Sequence, residues 1–269
     1  MSITLGNQRR FLVLATLAMF VTAIPSAVSQ TFDQTCSTPS FPSQTATAID
    51  SSCGISGSGT GAEGKQNMAK NNFCANGAPE PISIAQLSKY QTTVQNKKSI
   101  NFGDENTATR EKGPTTNRAP LQSIGEGKLV VLQGLVLKAR QEGGESVNCG
   151  KAVPNKPEFH DIHISVVADA ATKDECAGVV VEMSPHHRPG SWNIQNMQKV
   201  ADSGLPVRVT GHLFFDSSHV PCENGQGVRS NPKRVSLWEV HPIYQFELCT
   251  ADCGGTGNWV SLDQWAKTQ

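Results

Sequence analysis

Five β-type runs, with one helical run between the third and the fourth, constrain the fold of this 269-residue chain more than any other feature. Each run is apolar or alternating, as the strands of a half-buried sheet are. The runs lie at residues 129–140, 161–169, 177–183, 206–216 and 235–248. The helical run, 192–203, has apolar residues at helical spacing and ends at Gly204, a common helix stop. This order of elements is typical of an OB-fold barrel.

The predicted fold class is therefore all-β with minor α: a five-stranded OB-type barrel at 128–249, with strand order 1-2-3-5-4 and a helix between strands 3 and 4. Gly134 interrupts the first run where such a barrel needs a sharp bend, and glycine relieves the steric cost of that bend. In the fifth run, Trp238 and Tyr244 fall on the apolar side of a strict alternation, which favours core packing over exposed stacking platforms. A five-stranded sandwich or an α+β sheet uses the same elements and is the alternative.

Residues 1–29 have the features of a secretory signal peptide. Arg9 and Arg10 form a positive n-region, residues 11–24 are uncharged and mostly apolar, and Ala27 and Ser29 are small side chains at a cleavage point. The apolar run of 14 residues is shorter than the roughly 20 that a membrane-spanning helix needs. We therefore expect a secreted or periplasmic protein with no membrane anchor after cleavage.

The balance of charge argues against one class of partner. Loss of Arg9 and Arg10 leaves 21 of the 23 basic residues against 23 acidic ones. A protein that binds double-stranded nucleic acid needs a basic face to displace counterions. The composition predicts no strong basic face of that kind.

All the cysteines follow the predicted signal peptide, and an even number in an exported chain is typical of a disulfide framework. The eight are Cys36, Cys53, Cys74, Cys149, Cys176, Cys222, Cys249 and Cys253. A zinc site needs close CxxC-type pairs, and the nearest approach to one is Cys249 with Cys253, so we expect disulfides. Cys149 and Cys176 flank the second strand and are one expected pair. Cys222 is expected to pair with Cys249 or Cys253.

Residues 30–127 are predicted to be a polar arm, rich in Ser, Thr, Asn and Gly, that packs on the barrel and is tied to it by disulfides. One helix is predicted in the arm: Ser83 and Gln86 form a capping box, and apolar residues follow at helical spacing until residues 96–98. The stretches 54–64 and 101–117 have the composition of loops. After the barrel, residues 250–269 are expected to form a C-terminal tail.

Six short stretches stand out along the mature chain. They lie at 70–74 (KNNFC), 145–149 (ESVNC), 161–164 (DIHI), 184–189 (SPHHRP), 213–216 (LFFD) and 238–242 (WEVHP). Together they resemble a family of exported bacterial proteins with an OB-fold-like C-terminal domain. The resemblance extends over nearly all of the mature chain and implies one integrated unit in which the arm belongs to the barrel. It implies no catalytic assignment.

Side chains that bind metals or move protons recur on the outward side of the predicted strands. Because side chains alternate along a strand, five of them share that side: Asp161, His163, Glu182, Glu239 and His241. The 1-2-3-5-4 order places their strands side by side, so we expect the five to lie close together. Of these, His163, Glu182 and His241 are the candidate metal ligands. The alternative is an ordinary solvated strand face.

Loops at the barrel rim add further binding candidates, because OB barrels bind ligands with strands 2 and 3 and with the loops around them. His186 and Arg188 follow the third strand, and His219 and Arg234 lie between the fourth and the fifth. The basic side chains would bind a phosphate or carboxylate group. The alternative is that they are solvated and have no ligand.

Two function classes follow from these residues. The first is an exported binding protein for an anionic, carbohydrate or single-stranded nucleic-acid ligand on the His/Asp/Glu-rich face. The second is a metal-assisted hydrolase that uses the same face together with His219. A divalent metal is the only cofactor that the residues suggest. The sequence contains no HExxH, GxSxG or Walker motif, so no catalytic residue is assigned.

Overall fold

The computed structural model describes residues 54, 56–75, 77–97, 100, 117–149, 159–222, 231–254 and 256–269. The helices are α1 (Gly61–Lys70), α2 (Ile84–Gln95), α3 (Ala119–Gln122), α4 (Ile194–Ser203) and α5 (Leu262–Ala266). The strands are β1 (Glu80–Ile82), β2 (Leu129–Gln141), β3 (Ile162–Val167), β4 (Val179–Met183), β5 (Pro206–Phe215), β6 (Trp238–Ala251) and β7 (Asn258–Ser261). The predicted signal peptide lies outside the described residues. Among the helices just named, none is long and apolar enough to cross a membrane.

Strands β2 to β6 form a closed five-stranded barrel. β2 pairs antiparallel with β3 and β5, and β3 pairs antiparallel with β4. β6 runs parallel to β4 and antiparallel to β5, and the β2–β5 pairing closes the barrel. Helix α4 joins the third and fourth barrel strands and ends at Gly204 in the left-handed conformation, with φ 61°. The predicted barrel, its strand order and the position of its helix are confirmed.

The long first barrel strand changes its partner strand near the glycine that the sequence analysis singled out. The first half of β2 pairs with β5 and the second half pairs with β3, and the change occurs near Gly134. A Cβ atom on Gly134 would lie 2.6 Å from Val166 Cγ1 and 2.6 Å from the Val167 carbonyl oxygen. Because no such contact is tolerated, only glycine fits at this close approach of β2 to β3.

Apolar side chains from all five barrel strands fill the interior. They include Val130, Leu132, Ile162, Ile164, Val181, Met183, Val209, Leu213, Trp238, Ile243, Phe246 and Leu248. Trp238 is fully buried, with its ring 5.2 Å from that of Phe215, which confirms its predicted place in the core.

Tyr244 was predicted to be in the core with Trp238, and this was wrong. The β5–β6 register shifts around Gly211, so Ile243 faces the interior and Tyr244 faces the arm. There its hydroxyl donates to the Asn72 carbonyl at 2.8 Å, and its ring stacks on Phe73 at 5.8 Å. The alternation of apolar and polar residues in the sequence does not reveal such a shift in strand register.

The predicted helix of the arm is α2, and it packs on the barrel. Ser83 Oγ accepts from the Gln86 N–H at 3.1 Å, so the N-cap forms where the sequence placed it. Leu87 and Val94 are fully buried in the main hydrophobic cluster. Gln91 Oε1 accepts from the Leu237 N–H at 2.8 Å just before β6. The arm therefore contributes to the barrel's core rather than forming its own.

Helix α1 was not predicted, and part of it occupies a stretch assigned to a loop. Its buried residues are Gly64, Gln66, Asn67, Ala69 and Lys70, four of which are not apolar side chains. An amphipathic helix is recognised in a sequence by a stripe of apolar residues on one face. The buried face of α1 is mostly polar, so the sequence lacks that stripe. The stretch 101–116, also assigned to a loop, lies outside the described residues.

Residues 250–269, expected to be a tail, are part of the sheet. β7 pairs antiparallel with the end of β6, and α5 follows with Leu262 and Trp265 buried. Ser261 and Gln264 form a capping box at the start of α5. The barrel half therefore continues to the end of the chain.

Two disulfides join described residues, and they differ from the expected pairs. Cys176 bonds to Cys222, and Cys249 bonds to Cys253. The first pair meets because the segment before β6 lies against the start of β4: the Cys222 N–H donates to the Arg234 carbonyl at 2.8 Å, and the Val235 N–H donates to the Gly178 carbonyl at 2.8 Å. The expected pairing of Cys149 with Cys176 was therefore wrong, and so was that of Cys222 with Cys249 or Cys253.

The remaining cysteines are only partly described. Cys74 in the arm and Cys149 in the barrel half are both disulfide-bonded, and the described part of the chain contains no free thiol. Cys36 and Cys53 lie outside the described residues, so their oxidation stays a prediction.

Removal of the Cys176–Cys222 disulfide should destabilise the protein more than removal of Cys249–Cys253. The sequence separations are 46 and 4 residues, and a bridge that closes a longer loop restricts the unfolded chain more. We expect paired Cys→Ser substitutions to lower the free energy of unfolding by about 4 kcal/mol for the first bridge and about 2 kcal/mol for the second. Urea unfolding measures both, and equal losses would contradict the expectation.

Candidate functional site

Three neighbouring strands bring the predicted site residues together. His163 on β3 pairs directly with Glu182 on β4. Val181 on β4 is aligned with Val240 on β6, which places Glu182 beside Glu239 and His241. The five residues named from the outward register, Asp161, His163, Glu182, Glu239 and His241, are called the acid–imidazole cluster below.

The cluster is buried, which was not expected of an outward strand face. Asp161, Glu182, Glu239 and His241 are 0% exposed and His163 is 3% exposed. Helix α1 lies over the cluster, together with the short 3-10 turn Ser146–Asn148 that follows β2. The prediction of an outward register agrees with the structure, and the alternative of a solvated strand face does not.

Glu182 lies between the two histidines of the cluster. Its Oε1 is 3.2 Å from His163 Nε2, and its Oε2 is 2.5 Å from His241 Nδ1. His241 Nδ1 is also 3.8 Å from Glu239 Oε1. The contacts are at ion-pair distance, although within the described part of the chain these side-chain atoms lack the angles of hydrogen bonds.

Three side chains from outside the barrel strands complete one side of the cluster. Lys70, at the end of α1, lies 3.2 Å from Glu145 Oε2 and 3.7 Å from Glu182 Oε2. The other oxygen of Glu145 is 3.2 Å from His163 Nε2, and Glu142 Oε1 is 3.4 Å from His163 Nδ1. The sequence did not identify Lys70, Glu142 or Glu145 as site residues, because α1 and the loop after β2 have no periodicity that relates them to the strands.

The opposite side of the cluster continues into a second set of ion pairs. Arg234 Nη1 lies 2.8 Å from Glu239 Oε2 and 3.7 Å from Asp216 Oδ2. Asp216 also accepts from His219 Nδ1, and from Gln66 Nε2 at 3.3 Å. Both Arg234 and His219, predicted from the rim loops, therefore connect to the cluster through carboxylates. The alternative of a solvated side chain does not hold for Arg234, since it is fully buried.

The candidates after β4 have other surroundings. Arg188 is buried and donates to the Met183 carbonyl at 3.1 Å and to the His160 carbonyl, so it holds the end of β4 against the segment before β3. His186 is also buried, and its backbone N–H donates to Ser184 Oγ at 3.2 Å. Arg188 therefore supports the strand that carries Glu182.

The carboxylates control the protonation of the histidines. Burial lowers the pKa of both rings, but the nearby carboxylates outweigh it: Glu182 and Glu145 hold the pKa of His163 well above its usual range. Glu182 likewise raises the pKa of His241 to about 9. Burial raises the pKa of Glu182 in turn, yet His163 and the other cations hold it well below its usual range. The cluster therefore attracts positive charge.

Two carboxyls of the cluster carry an opposite shift. Burial, with the Glu145 carboxylate beside it, raises the pKa of Asp161. Burial and the Glu182 carboxylate raise the pKa of Glu239. Negative charge is therefore costly at these two positions, even at Glu239, which Arg234 contacts.

The donor atoms have the spacing of a cation site. One atom each of Asp161, Glu182 and His241 lies within 4.8 Å of the others, and a second set formed by Glu145, Asp161 and His163 is equally compact. Neither carboxylate oxygen of Asp161 has a hydrogen-bond partner among the described residues. Buried carboxylates are normally hydrogen-bonded. Carboxylate and imidazole together are ligands for zinc, manganese and related divalent ions.

No protein-family model, curated protein or solved structure matches the chain.

Proposed function

We propose that this chain is an exported OB-type barrel protein that binds a divalent metal ion at Asp161, Glu182 and His241 and uses it to hold an anionic ligand. The single observation that carries the proposal is the convergence of these three buried donors within 4.8 Å. Asp161 has no hydrogen-bond partner among the described residues, and a bound cation would satisfy it. Membership of the resembled family of exported bacterial proteins remains a prediction.

The edge of the cluster indicates where a ligand would enter. Side-chain exposure rises from 0% at Glu182 to 24% at Glu142 and 27% at Glu145. Both glutamates lie after β2, in the loop that OB barrels use for binding. An extended oligosaccharide or nucleic-acid strand needs an open face, whereas at this edge two carboxylates would repel an anionic group unless a bound metal ion attracted it. A metal-bound anion is therefore the ligand that we favour.

Metal-assisted hydrolysis is the second candidate function, and one pair of residues favours it. His219 donates from Nδ1 to the buried carboxylate of Asp216, and its side chain is 27% exposed. A histidine oriented by a carboxylate, with its other nitrogen accessible, is the arrangement of a general base. Asp161, Glu182 and His241 would hold a metal ion that polarises the substrate, and His219 would accept the proton of the attacking water.

Export is supported by the oxidation state of the cysteines. Disulfides persist in oxidising compartments and are rare in the cytosol, and two join described residues in the barrel half. A secreted or periplasmic location, which the sequence predicts from residues 1–29, is consistent with them.

Metal analysis of the purified mature protein tests the proposal. We expect stoichiometric zinc or manganese after dialysis against that metal and its loss on Asp161→Asn, because Asp161 is a ligand. Glu247→Gln is the matched control, since Glu247 lies on β6 but pairs with Arg208 at 2.7 Å. Elemental analysis and melting temperature with and without chelator are the measurements. Metal-free protein whose melting temperature chelator leaves unchanged would instead favour a binding module without metal.

A further inference from the structure

We infer that the site holds two divalent ions and that Asp161 bridges them, the second ion being bound by Glu145 and His163. This inference rests on the proposed function and deepens it. The two compact donor sets have Asp161 in common, and their other members are different residues. A carboxylate has two oxygens, so one side chain can bind an ion on each side.

Glu182 has the same two-sided placement. Its Oε1 faces His163, a member of the second set, and its Oε2 faces His241, a member of the first. Two buried carboxylates thus lie between two histidines. Two-metal sites place their ions about 3.5–4 Å apart, a separation that bridging carboxylates span.

Unsatisfied atoms occur on both sides of Asp161. Within the described residues, both carboxylate oxygens of Asp161 and Glu182 and both ring nitrogens of His163 and His241 have no partner with hydrogen-bond geometry. A single ion bound by the first set would give His241 a partner. It would leave both ring nitrogens of His163 without one of hydrogen-bond geometry. A second ion next to His163 and Glu145 would bind one ring nitrogen of His163.

The charge of the site also exceeds what one ion neutralises. Six carboxylates interact within the cluster and at its edges: Glu142, Glu145, Asp161, Glu182, Asp216 and Glu239. The cations that stay charged at all working pH values are Lys70, Arg234 and, beside Asp161, Arg188. With the imidazoles neutral, as metal ligands are, three negative charges remain: one divalent ion leaves one negative charge, and two leave one positive charge that an anionic ligand would neutralise. Buried charge of that kind is costly unless it is paired.

A binuclear site narrows the class of ligand. Two adjacent ions clamp a tetrahedral oxyanion by two of its oxygens, as in phosphoryl-transfer enzymes. The second set includes Glu145, the more exposed ligand, so the second ion lies on the side from which a ligand would enter. The inferred ligand is therefore a phosphate group, free or as an ester.

Manganese titration of the metal-free mature protein tests the inference. We expect two Mn²⁺ per chain by isothermal titration and elemental analysis, with an exchange-coupled EPR signal at full loading. Glu145→Gln should retain one uncoupled ion, and since Glu145 is partly exposed this variant should fold. The same loss from Glu247→Gln would point to a general effect of removing a carboxylate and would overturn the assignment of Glu145.

The outcomes separate the two proposals. One ion per chain, or two ions without exchange coupling, overturns the bridged pair but leaves the single-metal proposal intact. No bound metal overturns both. Inorganic phosphate should alter the coupled EPR signal of the wild type and not the signal of Glu145→Gln; an unchanged wild-type signal would overturn phosphate as the ligand class.

Discussion

Replacement of Glu126 by Ala is expected to lower the free energy of unfolding by about 3–5 kcal/mol, because it leaves a buried guanidinium without its carboxylate. Arg118 and Glu126 are both 0% exposed at their side chains. Arg118 Nε donates to Glu126 Oε2 at 2.8 Å, and its Nη2 donates to the other carboxylate oxygen and, at 2.7 Å, to the Phe215 carbonyl. The pair fixes the segment before β2 to the end of β5.

A surface ion pair close by provides the control for this prediction. Glu80 lies 2.9 Å from Lys128, but their side chains are 40% and 31% exposed. Solvent screens such a pair, so Glu80→Ala should cost less than about 1 kcal/mol. Urea unfolding at constant m-value compares the two variants. A loss below about 1 kcal/mol for Glu126→Ala would mean that the guanidinium gains water or another partner.

The substitution Asp161→Asn is expected to change stability in opposite directions with and without metal. In metal-free protein the Asp161 carboxylate is buried among other carboxylates and has no hydrogen-bond partner among the described residues. A neutral amide of the same shape should therefore raise the free energy of unfolding by about 1–3 kcal/mol. In the presence of metal the wild type gains about 2.7 kcal/mol at 100 times the dissociation constant, and the variant does not.

Both parts of this prediction are measured by thermal and urea unfolding. The free energy of unfolding is compared in chelator and in excess zinc or manganese. A crossover, with the variant more stable in chelator and less stable in metal, is the signature of a residue kept for binding rather than for folding. Destabilisation by the same amount in both conditions would identify Asp161 as a structural residue. Glu247→Gln should show no dependence on metal.

Much of the candidate site follows from strand periodicity alone. Alternation placed His163, Glu182 and His241 on the side away from the core, and the strand order placed β3, β4 and β6 side by side. Both are local or topological properties that a run of sequence encodes. Alternation fails at Tyr244, because the register shift near Gly211 turns this side chain from the interior towards the arm.

Burial of the site was not predictable in the same way. Lys70 and Gln66 lie on helix α1, whose buried face is polar. No apolar pattern in the sequence therefore predicts this helix. Glu145 comes from a loop whose position depends on where β2 ends and the short turn Ser146–Asn148 begins. The disulfide pairs are equally non-local, since Cys176 and Cys222 meet only after the segment before β6 packs against Gly178.

The sequence by itself determined the barrel, its helix α4 and the place of Gly134 in β2, because alternation and spacing are local features of a run of residues. Only the tertiary structure decided that the outward face of β3, β4 and β6 is a buried, charged site. Its character depends on Lys70 and Glu145, which approach from other parts of the chain. Electrostatic energy depends on the distance between charges in space and on the exclusion of water. Neither can be predicted from the local sequence.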